Sequence, residues 1–371
     1  IIDMGNSGTS IRLLMGVVAG YAMSTFFVGD ASLSKRPMAR VITPLQEMGA
    51  TFIARDKGRI PMAVKGNASL KGINYTLPVA SAQVKSAILL AGLNATGKTQ
   101  VTEPAPCRDH TENMLRHFGA NIDVSRDSEG LRVISIEGGQ SLQGCAVDVP
   151  SDPSSAAFPI IAAVLSPDSE VHVYGVCYNE TRNGIYKTLI EMGADIEILR
   201  SYDQGGETVV DICAKGGKQL HGIDVPAERV PSMIDEFPIL AVAACCAKGV
   251  TKMTGLEELR VKESDRLGIM AAGLTAAGAN LEEGADSLTI HGDGRPLKGG
   301  VQIETHHDHR IAMSFLILGL TTDAPMRIDD ASPIQTSFPN FVSLMRDIGA
   351  IIEADDVAPT GEKTLRFAED L

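Results

Sequence analysis

One pattern constrains the fold of this 371-residue chain more than any other: Leu or Met, three residues, then Gly-Ala. It occurs five times, ending at Gly49-Ala50, Gly119-Ala120, Gly193-Ala194, Gly278-Ala279 and Gly349-Ala350. Successive glycines are 70, 74, 85 and 71 residues apart. Each copy reads as an amphipathic helix ending on a glycine that adopts the left-handed conformation without penalty. A short alternating run follows each copy, at 51–53, 121–124, 195–198, 280–282 and 351–353, and predicts a half-buried strand. Between the copies lie second helices, at 87–93, 156–165, 239–247 and 311–320, which lack a polar face and are therefore expected to be buried. The expected class is α/β, built of α+β repeats. A period near 70 exceeds the roughly 20–50 residues of solenoid repeats, so closed domains of a few large units are expected. The Pro- and Ser-rich stretch 149–155 is the best linker, dividing the chain into 1–150 and 151–371.

The length suits two domains, each able to bury its own core. Aromatic residues make up 4% and Trp is absent, so those cores must be aliphatic. With 44% hydrophobic and 21% charged residues, wholesale disorder is excluded. No uninterrupted apolar run is long enough to predict a membrane-spanning helix. Six cysteines without CxxC spacing suit a reduced, cytoplasmic protein. The chain opens on Ile1 without an initiator Met or the basic start of a signal peptide, and is expected to begin inside a longer protein. The net charge of −13 argues against a broad nucleic-acid or anionic-membrane surface. An anionic ligand then requires a local cluster of cations.

The starts of the buried helices supply such cations. Ser7, Ser81, Asp235 and Asp308 read first as ordinary helix caps. Arg12, Lys85 and Arg310 oppose the helix dipole, unless an anion occupies the free N–H groups and the side chain together. Lys35 and Arg36 add two cations beside the rigid Pro37. In the run 259–266, Lys262 and Arg266 stand at i, i+4 if helical, a repulsion of about 0.2–0.5 kcal/mol that a ligand anion, or Glu263 and Asp265, would relieve.

Two motifs mislead. Residues 92–99 match the phosphate-loop pattern GxxxxGK[ST], but that mechanism needs a strand before and a helix after. Here a helical run precedes and a strand-like run follows, so a helix cap and turn is expected. His306, His307 and His309 are crowded on one segment and point in different directions, a poor ligand set, so no metal is expected.

The segments 6–12 (NSGTSIR), 36–38 (RPM), 81–83 (SAQ), 108–112 (RDHTE), 260–266 (RVKESDR) and 308–310 (DHR), in this order, resemble the signatures of the 5-enolpyruvylshikimate-3-phosphate synthase family. The resemblance covers essentially the whole chain. It implies a two-domain inside-out α/β barrel of six βαβαββ units, five of them present, with two of three in the first domain and the active site in the interdomain cleft. It also implies enolpyruvyl transfer from phosphoenolpyruvate to the 5-hydroxyl of 3-phosphoshikimate, with release of phosphate, in the shikimate pathway of aromatic amino acid biosynthesis. By motif match, Gly8, Arg36, Gln83, Arg266 and Arg310 would bind phosphoenolpyruvate. Ser81, Gln83, Arg108, Asp235 and Lys262 would bind 3-phosphoshikimate, and Asp235 and Glu263 would be the acid/base pair. No cofactor or metal is implied, and the partners are two small molecules bound by a monomer.

The family's opening Lys/Arg segment has no counterpart here. Gln335 and Thr336 stand where members carry a late Lys, Ala82 where some carry a second Ser, and Glu258 where some carry Asn. Three alternatives follow. The UDP-N-acetylglucosamine enolpyruvyl transferases share the fold but typically carry a reactive Cys near the Arg-Pro motif, and no Cys precedes position 107 here. A phosphate-loop nucleotide-binding module built on 92–99, or a repeat scaffold without catalysis, would be of a different class.

Overall fold

The computed structural model describes residues 1–354 and the backbone of 365 and 366. The chain divides into two compact units, Ile1–Asp148 and Val149–Leu371. In the first unit, β1 (Ile2–Asp3), α1 (Gly8–Ala19), β2 (Ser24–Val28), α2 (Ala39–Met48), β3 (Thr51–Arg55) and β4 (Arg59–Lys65) form one repeat. Its sheet runs β1-β2-β4-β3, with β1 parallel to β2 and the other pairs antiparallel. The next repeat has the same plan: β5 (Asn74–Thr76), α3 (Ala82–Gly92), β6 (Lys98–Glu103), α4 (His110–His117), β7 (Ile122–Arg126) and β8 (Arg132–Glu137), in sheet order β5-β6-β8-β7.

The second unit repeats the plan three times. The first copy holds α5 (Pro153–Leu165), β9 (Glu170–Cys177), α6 (Gly184–Glu191), β10 (Asp195–Gln204) and β11 (Glu207–Lys215). The next holds α7 (Phe237–Cys246), β12 (Lys248–Thr254), α8 (Arg266–Ala276), β13 (Leu281–Glu283) and β14 (Ser287–Asp293). In these two copies the leading strand shrinks to isolated parallel bridges, Ser151 to Val176, and His221 and Asp224 to β12. Next come β15 (Leu297–Gly299), β16 (Gln302–Ile303), α9 (His309–Leu318), β17 (Thr322–Ala324), β18 (Arg327–Ile328), α10 (Ile334–Ser337), α11 (Phe341–Asp347), β19 (Glu353–Ala354) and β20 (Leu365–Arg366). Here the sheet order is β16-β18-β20-β19, and β15 pairs with β17 alone.

The five Gly-Ala signatures are five identical helix ends. Gly49, Gly119, Gly193, Gly278 and Gly349 all have positive φ, between 82° and 114°. In each, the glycine N–H bonds the carbonyl three residues back and the alanine N–H bonds the carbonyl five back, as in Ala50 to Leu45 at 3.0 Å. This is the Schellman arrangement, in which the residue five back and the residue after the glycine share an apolar contact. It explains why the pattern needs Leu or Met at one end and Ala at the other.

One helix per repeat is swallowed by the core. Residues 237–245 of α7 are all buried, as are eleven of the thirteen residues of α5. Within the second unit α5, α7 and α9 touch one another, and α1 and α3 pack together in the first. Gly16 shows how close that approach is, since a Cβ there would lie 2.2 Å from the Ala87 carbonyl oxygen. Among the described residues no helix is long and apolar enough to cross a membrane.

Lys85 corrects the expectation of three anion-seeking cations. Its side chain is fully buried, with Nζ 2.7 Å from Glu103 Oε1 and 2.7 Å from Glu112 Oε1. Position 85 faces inward on α3, where the end of β6 and the first turn of α4 supply the counter-charge, so its anion is internal. Lys85→Met would leave two buried carboxylates near only the partly exposed Arg132. A loss of about 3–5 kcal/mol is expected, read as a lower denaturation midpoint in urea.

Candidate active site

In the first unit the polar groups gather where α1 and α3 begin. Ser7 caps α1 by accepting from the Ser10 N–H at 3.1 Å, and Ser81 caps α3 by accepting from the Val84 N–H at 3.4 Å. Gln83 ties the two helix starts together. It donates to Thr9 Oγ1 at 2.7 Å and accepts from Arg12 NH1 at 2.7 Å. Arg12 also donates to the Gly8 carbonyl at 3.0 Å. Arg36 follows a short 3-10 turn, Leu33–Lys35, and reaches the same place. A Cβ on Gly8 would lie 3.0 Å from both Arg12 NH1 and Arg36 NH1. Burial first, then the charges of Arg36 and Arg40, lower the Arg12 pKa. Like charges thus crowd a helix N-terminus, the electrostatics of an anion site. Arg108 is half-buried in the loop between β6 and α4. Gly8, Arg36 and Gln83 are therefore brought together with Arg12, which the sequence reading marked as a cation of an anion site but assigned to neither substrate. The first-turn cation was its signal.

In the second unit the site gathers where α7, α8 and α9 begin. Asp308 is fully buried and caps α9 through the Arg310 N–H at 2.9 Å. Its other task is to hold Arg266, whose Nε donates to Asp308 Oδ2 at 2.8 Å. Arg266 also pairs with Glu263 at 2.6 Å and with Asp235 at 3.3 Å. Burial alone would lower the Arg266 pKa, but Asp308 and Glu263 outweigh it and the value is raised. Burial alone would raise the Asp308 carboxyl, but Arg266 outweighs it and the value is lowered.

The run 259–266 is not one helix. A 3-10 turn, Glu257–Val261, ends before Lys262, and α8 begins at Arg266. Lys262 and Arg266 both face Asp235 Oδ1, at 3.8 and 3.3 Å, and their repulsion is relieved by that carboxylate together with Glu258 on Lys262 and Glu263 on Arg266. The two acid/base candidates, Asp235 and Glu263, share Arg266.

Arg310, at the second position of α9, donates NH1 to the Asp235 carbonyl at 3.1 Å and lies 3.6 Å from Glu236 Oε1. Glu236 is buried, and it accepts a hydrogen bond from Ser154. Burial raises its pKa, against the opposing charges of Arg310 and Arg182. The sequence reading took 235–238 as a helix opening and gave Glu236 no role. Nothing in its spacing reveals the Arg310 contact, which crosses 74 residues.

The misleading motifs resolve by geometry. In 92–99, α3 ends at Gly92 and β6 begins at Lys98, so a strand follows the loop where the phosphate-loop mechanism needs a helix. The histidines part company: His306 lies 3.9 Å from Glu304 and His307 lies 3.2 Å from Asp330. His309 packs beside Arg310. Glu170, His172 and Cys213 place ligand atoms within 4.8 Å of one another, but Lys215 already sits 3.4 Å from Glu170.

Burial, then the charge of Arg310, pushes the His309 imidazole down to about 4 from an ordinary 6.5. His309 thus brings no charge to an anion near neutrality. The unfolded chain takes up this proton near pH 6.5 and the folded chain only near pH 4, so acidification between those values favours unfolding. Asp308, Arg266 and Glu263 share this surrounding, and Asp308 titrates below the window. His309→Gln should flatten the fall in stability between pH 6.5 and 4, measured by urea unfolding at several pH values; an unchanged slope would contradict it.

The family model described as EPSP synthase (3-phosphoshikimate 1-carboxyvinyltransferase) matches residues 1–345. A 3-phosphoshikimate 1-carboxyvinyltransferase of Paramagnetospirillum magneticum is 55% identical over 356 residues, spanning 96% of this chain and 80% of its own. One from Parvibaculum lavamentivorans is 54% identical over 349 residues, spanning 94% of this chain and 77% of its own. The solved EPSP synthase of Acinetobacter baumannii superposes with a TM-score of 0.85 at 48% identity, over 94% of this chain and 78% of that one. The enolpyruvyl transferase NikO of Streptomyces tendae, at 18% identity and a TM-score of 0.69, over 91% of this chain and 75% of that one, shares the fold. With the repeats, the helix-start clusters and these matches together, the chain belongs to the EPSP synthase family and is a transferase.

Proposed function

We propose that the two clusters divide the work of the family's reaction. That reaction moves the enolpyruvyl group of phosphoenolpyruvate to 3-phosphoshikimate, in the shikimate pathway of aromatic amino acid biosynthesis, and it is the reaction of this chain. The 5-hydroxyl oxygen bonds the central carbon of phosphoenolpyruvate while the methylene carbon gains a proton and the hydroxyl loses one. The methyl group so formed then gives up a proton as the bond to phosphate breaks. Such chemistry needs an acid, a base, and cations for a carboxylate and two phosphates.

Gly8, Arg36, Gln83, Arg266 and Arg310 are assigned to phosphoenolpyruvate. Gly8 lets an anion approach the start of α1, and the arginine forks match carboxylate and phosphate. Arg266 is enclosed by carboxylates. Its Glu263 pair is the more open one, with Glu263 35% exposed against 16% for Asp235 and none for Asp308, so that edge would turn to the ligand. Ser81, Gln83, Arg108, Asp235 and Lys262 are assigned to 3-phosphoshikimate. Asp235 exchanges the hydroxyl proton and Glu263 the methylene proton. Both pair with Arg266, so one cation serves both carboxylates. The observation that carries the assignment is this sharing of one buried arginine by two carboxylates, next to Arg310.

The reading includes a monomer acting in the cytoplasm on two small molecules, without cofactor or metal. All six cysteines are free, as a reducing compartment favours.

The test is phosphate release from phosphoenolpyruvate by the full-length protein. Release is expected with 3-phosphoshikimate and not with a UDP-sugar, and no release with 3-phosphoshikimate would refute the reading. Within it, Gly8→Ala should press on Arg12 and Arg36 and raise the KM for phosphoenolpyruvate about tenfold. The KM for 3-phosphoshikimate should stay within about twofold, and an unchanged KM for phosphoenolpyruvate would take Gly8 out of the site.

A further inference from the structure

A polar chain in the second unit leads to Arg310 through residues that these assignments leave unused. It starts at the beginning of α5, where Arg182 NH2 lies 3.2 Å from Asp152 Oδ1 and donates to Ser154 Oγ at 2.7 Å. Ser154 passes its own proton toward Glu236 Oε1. Glu236 in turn lies 3.6 Å from Arg310 NH1. The formal charges alternate along this chain, and three buried-helix starts contribute to it: Asp152 and Ser154 of α5, Glu236 before α7, and Arg310 of α9.

An apolar residue at 236 would avoid the cost of burying a carboxylate, so stability alone is a poor reason for Glu236. Its geometry gives a better one. Arg310 NH1 is held between the Asp235 carbonyl and Glu236. Among the described residues, Nε and NH2 of Arg310 make no hydrogen bond. A guanidinium fixed along one edge presents the other in a set orientation, and the Nε/NH2 edge takes a carboxylate in two parallel bonds. Ser154 and Arg182 stand behind Glu236 and fix it in turn.

We propose that Glu236 is a positioning residue, which anchors NH1 of Arg310 so that the Nε/NH2 edge faces the carboxylate of phosphoenolpyruvate. This rests on the assignment of Arg310 to that ligand. Glu236 itself touches no substrate. Its loss frees the guanidinium to rotate, which weakens binding of one substrate and leaves proton transfer alone.

The experiment is a double-mutant cycle in the full-length protein, with Glu236→Gln, Arg310→Ala and their combination. Glu236→Gln keeps the volume and the acceptor for Ser154 and removes the charge. The KM for phosphoenolpyruvate should rise about tenfold, with that for 3-phosphoshikimate within about twofold and kcat within about threefold. The melting temperature should not fall, because burial at Glu236 outweighs the charges of Arg310 and Arg182 and already disfavours its charged form. In the Arg310→Ala background, Glu236→Gln should add nothing further. Ser154→Ala is the second variant, leaving Glu236 charged but unanchored, and should raise the same KM about threefold. If Arg310→Ala weakens phosphoenolpyruvate but Glu236→Gln does not, or does so equally without Arg310, the proposal falls alone. If Ser154→Ala leaves the KM unchanged, the anchoring chain is refuted. If Arg310→Ala leaves the KM for phosphoenolpyruvate unchanged, the assignment of Arg310 falls and the proposal falls with it.

Discussion

A helix buried on every side has one difficulty that apolar residues cannot solve. Its first-turn N–H groups have no partner within the helix, and a core offers none. Four of the five repeats meet this need with a side-chain cap, whereas α7 follows a 3-10 turn and has none, so Asp235 is not the cap its position predicted. Ser7, Ser81, Asp152 and Asp308 each accept a backbone N–H. Polar and charged side chains therefore gather at these helix starts. Positive dipole ends and side-chain cations share those places, and the chemistry follows from that concentration.

Both clusters set cations close together. Around Gly8, Arg12 and Arg36 crowd one another, with Gln83 as a neutral tie. At the starts of α7, α8 and α9, cations and carboxylates interleave: Arg266 with Asp235, Glu263 and Asp308, Lys262 with Glu258 and Asp235, Arg310 with Glu236. A site crowded with cations attracts anions. Interleaving acids with arginines keeps the local net charge low. An acidic protein of net charge −13 can thus serve two anionic substrates, because what matters is the field at the helix starts.

The repeats were legible because they are local. A Schellman end needs Gly at one position and apolar residues at two others, within six residues, and tertiary contacts cannot easily override it. Capping by Ser7, Ser81 and Asp308 was legible for the same reason, and the reversed element order around residues 92–99 showed that segment to be a decoy. Lys85 and Arg12 look alike in sequence, each just inside a buried helix behind a polar cap. One carries an internal counter-charge from Glu103 and Glu112 and the other lies beside Arg36. Their difference depends on residues far along the chain, which periodicity does not report.

The amino-acid sequence alone determined the repeat, the alternation of exposed and buried helices, the aliphatic cores and the family, because each rests on short-range patterns or on motif order. Only the tertiary structure decided which charges meet. Arg266 is enclosed by Asp235, Glu263 and Asp308, which come from three separate elements. Glu236 reaches Arg310 and Ser154 from two other repeats. Electrostatic energy depends on distance through space and on burial, and both are set only when the repeats close around their helices.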